Sequence, residues 1–187
     1  MPQARYSFKI ALLGDGAVGK TTLKKRFIDQ HLSGDYTATI GADFAYHEVF
    51  VDNITVGLNI WDLAGQERFQ RLVQPFFRGM RGAVLVYDVT RAGTFKSLVR
   101  WVKAMIEEDT AHIPLILVAN KDDLKAELGQ VPSSKGKEMS AVLETLTGFP
   151  VTFVETSALT GYNVSQAFEF LVREILNGSR IPNSESG

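Results

Sequence analysis

The chain has 187 residues, 45% hydrophobic and 22% charged, which is the makeup of one ordinary globular domain with a sizeable core. Its formal net charge of -1, without a long basic run, argues against a nucleic-acid surface or an electrostatic membrane anchor. With no cysteine it has no disulfide, no thiolate metal site and no cysteine nucleophile. A cytoplasmic setting is expected, since no secretory leader or membrane-spanning apolar stretch is present and position 2 is Pro2 rather than an acylatable glycine.

In chain order, an apolar run at about Phe8 to Leu13 predicts a strand, and a helical pattern follows from about Lys20 to Gln30. Between them "GDGAVGKT", Gly14 to Thr21, fits G-x-x-x-x-G-K-[ST] in the strand, loop, helix context which that motif needs. Gly14, Gly16 and Gly19 let the backbone turn its N–H groups and a helix N-terminus towards an anion. Lys20 adds a mobile positive charge for the outer phosphates, and Thr21 offers a hydroxyl to Mg²⁺.

Two strands, about Phe44 to Val51 and Thr55 to Leu63, flank the turn pair Asp52 and Asn53 and predict one antiparallel hairpin. Buried strands are expected near Gly82 to Val89, Pro114 to Asn120 and Pro150 to Thr156, making six in all. Phe95, Leu98, Val99, Val102, Met105 and Ile106 form a helical stripe with Thr94 as its expected N-cap. Val164, Ala167, Phe168, Leu171, Val172 and Ile175 form another, opened by a capping-box pair, Asn163 and Gln166. Alternating strands and helices mean an α/β fold, expected as a single domain over residues 1–178 with a flexible tail over 179–187.

"NKDD", Asn120 to Asp123, ends a predicted parallel strand, where open α/β sheets bind ligands. Guanine presents two adjacent N–H donors that a single carboxylate accepts together, and adenine has no such pair, so Asp123 is the expected guanine reader. His31, His47 and His112 lack metal-ligand spacing and are expected at the surface.

"GDGAVGKT", "YTATIGADF", "WDLAGQE", "NKDD" and "ETSA" stand in the order and approximate spacing of the Ras-superfamily small GTPases, which the chain resembles over nearly its whole length. Within them "IGADF", "QERF", "FFRGM" and "LVYDVT" are most similar to the Rab family. The resemblance implies a P-loop GTPase domain, with a six-stranded mostly parallel sheet, one antiparallel strand and helices on both faces. Gly14, Asp15, Gly16, Ala17, Val18, Gly19, Lys20, Thr21 and Thr22 would cradle the phosphates. Thr21 and Thr39 would ligate Mg²⁺ directly and Asp62 through water, with Tyr36 closing over the γ-phosphate. Gly65 would offer its N–H to that phosphate, and Gln66 would orient the attacking water by position and charge rather than as a base.

By the same resemblance, Asn120 and Lys121 would brace the pocket, and the Ala158 N–H, next to Ser157 in "ETSA", would meet the guanine carbonyl. Phe44, Trp61 and Phe77 match a surface aromatic cluster offered to effectors, with three core aromatics as the competing possibility. An exchange factor and a GTPase-activating protein are implied partners of a monomer. The latter would add roughly 10³–10⁵-fold to slow turnover, because no insertion supplies an arginine and Arg68 and Arg71 follow the catalytic loop. Two other classes compete: a non-cycling guanine-nucleotide module, opposed by Gly16, Thr39 and Gln66, and an ATP-dependent P-loop enzyme, in which "NKDD" and "ETSA" would have no role.

The chain departs from the family in three places. The segment after Asp123 is longer than expected, with a helix around Met139, Val142, Leu143 and Leu146 and its excess expected to be inert. The terminal "RIPNSESG" offers no prenylation cysteine, so membrane association is expected only through partners or a lipidated tail beyond this sequence. Leu32 stands where the family has a phenylalanine packed edge-on against guanine. Losing about 0.5–1.5 kcal/mol of aromatic contact predicts fast nucleotide exchange, so Leu32→Phe should slow GDP dissociation several-fold in a stopped-flow displacement assay.

Overall fold

The computed structural model describes residues 6–29, 39–66 and 73–180. Leu32, Tyr36, His31, Arg68, Arg71 and the expected tail from 181 onward lie outside the described residues. Six strands form one sheet: β1 (Tyr6–Leu13), β2 (Ala42–Val51), β3 (Ile54–Leu63), β4 (Gly82–Asp88), β5 (Leu115–Asn120) and β6 (Val151–Thr156). Their order is β2-β3-β1-β4-β5-β6, with β2 antiparallel to β3 and every other pairing parallel.

The helices are α1 (Lys20–Asp29), α2 (Ala92–Lys96), α3 (Leu98–Glu107), α4 (Lys125–Leu128), α5 (Ser133–Thr147) and α6 (Val164–Arg180). Alternation along each strand sends side chains to opposite faces. Ile10, Leu12, Val84, Val86, Ile116 and Val118 join Leu23 and Phe27 of α1 and the stripe of α6 in one core, where Phe27 and Phe168 stack at 3.9 Å. Ala11, Leu13, Leu85, Tyr87, Leu115 and Leu117 join Leu98, Trp101, Val102 and Met105 of α3 and Leu143 of α5 in the other. All seven residues of β4 and all six of β5 are buried, as expected for central parallel strands covered on both sides. The carboxyl ends of these strands are thereby fixed as one rigid rim.

Several sequence expectations shift. Thr94 is not the cap of its helix: α2 begins at Ala92, and the buried Thr94 hydroxyl accepts from the Asp88 N–H at 3.0 Å and donates to the Arg91 carbonyl at 2.8 Å. The stripe is interrupted at Ser97, and the rotation of α3 buries Trp101 while Ile106 stays exposed. Asn163 sits at φ +53°, outside the extended geometry of a capping box, and its amide donates to the Glu155 carbonyl at 3.0 Å. Helix α5 faces inward with Gly136, Met139, Leu143 and Thr147, leaving Val142 and Leu146 exposed. Gly136 permits that approach, because a Cβ there would lie 2.2 Å from the Phe153 ring. His47 is half-buried, edge-on to Phe27 at 5.0 Å, rather than a free surface residue.

Among the described residues no helix is long and apolar enough to cross a membrane. The hairpin turn has φ +50° at Asp52 and +62° at Asn53, the left-handed pair of a type I′ turn that matches the twist of β2 and β3. A β-branched residue resists that conformation, so Asn53→Val should cost about 1–2 kcal/mol of stability, read as a lowered urea midpoint with unchanged slope.

Candidate functional site

The site lies along the carboxyl rim of β1, β3, β4, β5 and β6. After β1 the chain turns sharply through Gly14 at φ +136° and reaches α1 through Gly19 at φ +102°. Neither has room for a side chain: a Cβ on Gly14 would lie 2.1 Å from the Val86 carbonyl oxygen, and one on Gly19 would lie 2.2 Å from Asn120 Nδ2. The resulting loop is a concave anion cradle ending at a helix N-terminus. Lys20 is buried across it, its Nζ donating to the Gly14 carbonyl at 2.7 Å and the Asp15 carbonyl at 2.8 Å. Burial pushes the Lys20 ammonium down to about 8, against the opposing pull of Asp62 and Asp15, and an anion set beside it would hold the proton on.

Three hydroxyl and carboxylate oxygens meet at the start of α1. Thr21 Oγ1 is 3.1 Å from Thr39 Oγ1 and donates to Asp62 Oδ2 at 2.5 Å. Asp62 is fully buried and its Oδ1 lacks a hydrogen-bond partner among the described residues. Burial raises its pKa, while Thr21 and Lys20 pull it back down. An all-oxygen set with an orphaned carboxylate oxygen fits a small hard cation such as Mg²⁺. Gly65 lies on the cradle itself, since a Cβ there would be 2.3 Å from the Asp15 carbonyl carbon, and Gln66 flanks Gly16.

Beside the cradle, Gly19, Thr22, Asn120, Lys121, Asp123, Leu124, Ala158 and Leu159 line a mostly apolar slot of about 160 Å³. Asn120 is its keystone: Nδ2 donates to the Val18 carbonyl at 2.8 Å, and Oδ1 accepts from the Ala158 N–H at 3.0 Å and the Thr156 hydroxyl at 3.1 Å. Asp123 Oδ1 accepts from the Ser157 hydroxyl at 2.5 Å, which fixes the carboxylate at the slot wall. Arg26 of α1 holds the Ala158 and Leu159 carbonyls from behind. The expected residues are thus gathered, with two differences in orientation. The Ala158 N–H is engaged by Asn120 rather than turned to the slot, and Lys121 reaches Asp88 Oδ2 at 2.6 Å.

Asp15 contributes only its backbone to the cradle. Its carboxylate turns away to accept from Ser97 Oγ at 2.6 Å, Arg100 Nη2 at 3.0 Å and Trp101 Nε1 at 3.1 Å, anchoring the loop to α3. The surface aromatic group also needs correction, because Phe77 is fully buried in the core. Its neighbour Phe76 takes the place, 5.2 Å from Trp61, which lies 5.3 Å from Phe44. The turn Gln74–Phe77 buries Phe77 and leaves its neighbour Phe76 only partly covered, a choice that sequence matching alone could not make. Arg26, Asp88 and Arg91 also border the site, and the sequence marks them only by the charged residue that ends the apolar run "GAVLVYD".

A sequence profile of the Ras family matches residues 9–177. The chain is 40% identical over 178 residues to the Ras-related protein Rab-11C of Dictyostelium discoideum, covering 94% of this chain and 76% of that protein. It is 36% identical over 182 residues to Rab-11A of the same organism, covering 97% and 82%. To RABA5a of Arabidopsis thaliana it is 41% identical over 172 residues, covering 92% and 75%.

The three-way bridge at Asn120 makes a prediction that is independent of any ligand. Asn120→Leu would leave buried groups on Val18, Thr156 and Ala158 without their partner, and each such group costs about 1–3 kcal/mol. Urea unfolding of the nucleotide-free protein should show a loss of about 3 kcal/mol or more.

Proposed function

The chain belongs to the Ras family as a Rab-like small GTPase, a GTP hydrolase that acts as a molecular switch in membrane trafficking, and we propose which of its residues do that work. Proteins of this family bind GTP and GDP, usually with Mg²⁺. We assign the guanine base to the slot between Lys121 and Ala158, read by the Asp123 carboxylate, and the phosphates to the loop from Gly14 to Thr22. The observation that carries this assignment is Asn120, which joins Val18 of the phosphate loop to Ala158 of the slot in a single side chain. A ligand filling both sites must have a base at one end and phosphates at the other.

Thr21, Thr39 and Asp62 would hold Mg²⁺, which supplies charge neutralisation of the phosphate oxygens. Lys20, buried with its ammonium on the loop carbonyls, meets the outer phosphates and stabilises the charge that develops as the terminal P–O bond breaks. Gln66 beside Gly16 orients the attacking water, and a neutral amide does so without accepting its proton. Tyr36 and Leu32 are assigned here by family likeness alone: Tyr36 over the γ-phosphate, Leu32 against the base.

Switching follows from which groups meet the γ-phosphate. Thr39 and Gly65 come from different segments, one before β2 and one after β3, and both border the cradle. With the γ-phosphate present both segments are held; after hydrolysis that contact is lost and they are released. Partners that read the difference would meet the neighbouring Phe44, Trp61 and Phe76 together with the exposed Ile40. Exchange factors and activating proteins are the regulators such a cycle needs, the latter supplying a transition-state arginine in trans.

Chromatography of nucleotide released by denaturing the purified protein tests the ligand, with guanine nucleotide near one per chain expected and adenine nucleotide overturning the assignment of Asp123. For the chemistry, Gln66→Leu should slow single-turnover GTP hydrolysis about tenfold or more while leaving GDP dissociation within about twofold. Equal loss of both would place Gln66 in binding rather than in catalysis.

A further inference from the structure

Asp88 closes β4 with its carboxylate fully buried, in register with Asn120 on β5. Four donors converge on it. Oδ1 accepts from the Thr90 N–H at 2.9 Å and the Thr90 hydroxyl at 2.6 Å; Oδ2 is shared by Arg91 Nε at 2.9 Å and Lys121 Nζ at 2.6 Å. Burial would raise the pKa of this carboxyl, but the bonds from Lys121, Thr90 and Arg91 outweigh it and hold the group below the ordinary range.

Arg91 does not end at that carboxylate. Its Nη2 donates to the Gly16 carbonyl at 3.0 Å, so one edge of the guanidinium spans from Asp88 to the phosphate loop. The loop is held elsewhere through Val18 by Asn120 and through Asp15 by α3. Between these ties stands its crest, Gly16 and the exposed Ala17 at φ +59°, and Arg91 grips that crest. Lys121, on the other side of the same carboxylate oxygen, belongs to the slot assigned to the base.

We propose that Arg91 is a positioning residue for nucleotide retention, locking the phosphate loop to the base-reading loop through Asp88. This rests on the assignment of the cleft to a guanine nucleotide. Arg91 acts through the Gly16 carbonyl and the Asp88–Lys121 pair and not through contact with the ligand. Holding the crest keeps the loop N–H groups aimed at the phosphates before the ligand arrives, so less ordering is needed on binding and release is slower. The two bonds need adjacent N–H groups in a planar fork; a lysine ammonium at this position keeps the charge but is a point donor on a flexible stem.

The test is GDP dissociation from the full chain, followed with a fluorescent GDP analogue for the parent, Arg91→Ala, Arg91→Lys, Lys121→Ala and the Arg91→Ala/Lys121→Ala pair. Asp88 keeps its two Thr90 donors and Lys121 when Arg91 alone is replaced, so the Arg91 single variants should unfold only a few degrees below the parent. Arg91→Ala should speed release about tenfold, the worth of one charge-assisted hydrogen bond, and Arg91→Lys should recover little of it. Because Arg91 and Lys121 act through one carboxylate, the pair should release GDP no more than about threefold faster than Lys121→Ala alone. An unchanged off-rate for Arg91→Ala, full recovery by lysine, or two effects that multiply independently would each overturn the proposal. A parent protein that fails to bind added GDP would instead overturn the assignment of the cleft.

Discussion

The structure turns on one buried amide. Asn120 ends β5, one strand in from the edge of the sheet, and is 1% exposed, and it is asked to satisfy a carbonyl on one loop and an N–H on another. Only a side chain carrying both a donor and an acceptor on one rigid plane can do this from a single Cβ. The glycine at position 19 follows from it, because the amide occupies the space where a Cβ would be. So does the closeness of the apolar slot and the glycine-rich cradle, which share Gly19 as a common wall.

Around this point the apolar core does its work indirectly. Two layers of side chains clamp β1, β4 and β5 from both faces, so that their carboxyl ends keep fixed spacing while the loops beyond them carry the chemistry. Charged groups brought to that rim are nearly all committed to partners: Lys20 to loop carbonyls, Asp15 to α3, Asp88 to Lys121 and Arg91. Asp62 Oδ1 stands apart, buried and lacking a partner among the described residues, while Oδ2 of the same carboxylate takes the Thr21 hydroxyl. The longer segment after Asp123 is likewise tied in, since Lys125, Ser133 and Glu155 form a closed set that joins α4 and α5 to the end of β6.

Sheet, hairpin and the glycine-rich turn between β1 and α1 were legible in the sequence because each depends on local rules: apolar runs, a turn pair that tolerates positive φ, glycines before a lysine and a threonine. The failures occurred where tertiary contacts choose between equivalent neighbours. Phe76 and Phe77 are chemically the same, and only the turn that carries them decides which is buried. Thr94 has the chemistry of a cap, but the nearby end of β4 recruits its hydroxyl first. Val142 and Leu146 fit the helical stripe of Met139 and Leu143, yet the helix turns Gly136 to the Phe153 ring, which buries Thr147 and leaves Val142 and Leu146 exposed. The Asp88 and Arg91 bridge was invisible because its partners, Gly16 and Lys121, are 75 and 33 residues distant along the chain from Arg91 and Asp88 respectively, a spacing that no local pattern encodes.

The glycines of the cradle differ in one respect with a consequence beyond folding. A methyl group on Gly14, Gly19 or Gly65 would collide with backbone or amide atoms at 2.1–2.3 Å, whereas at Gly16 it would meet, among the described residues, only the Gln66 side chain at an ordinary 3.6 Å. Damage at the first three positions therefore announces itself as misfolding, and cellular chaperones and proteases remove the product before it can act. A small side chain at Gly16 passes that inspection. It would yield an abundant, well-folded protein with a fault confined to its working cycle, the kind of inherited error that quality control has no means of detecting.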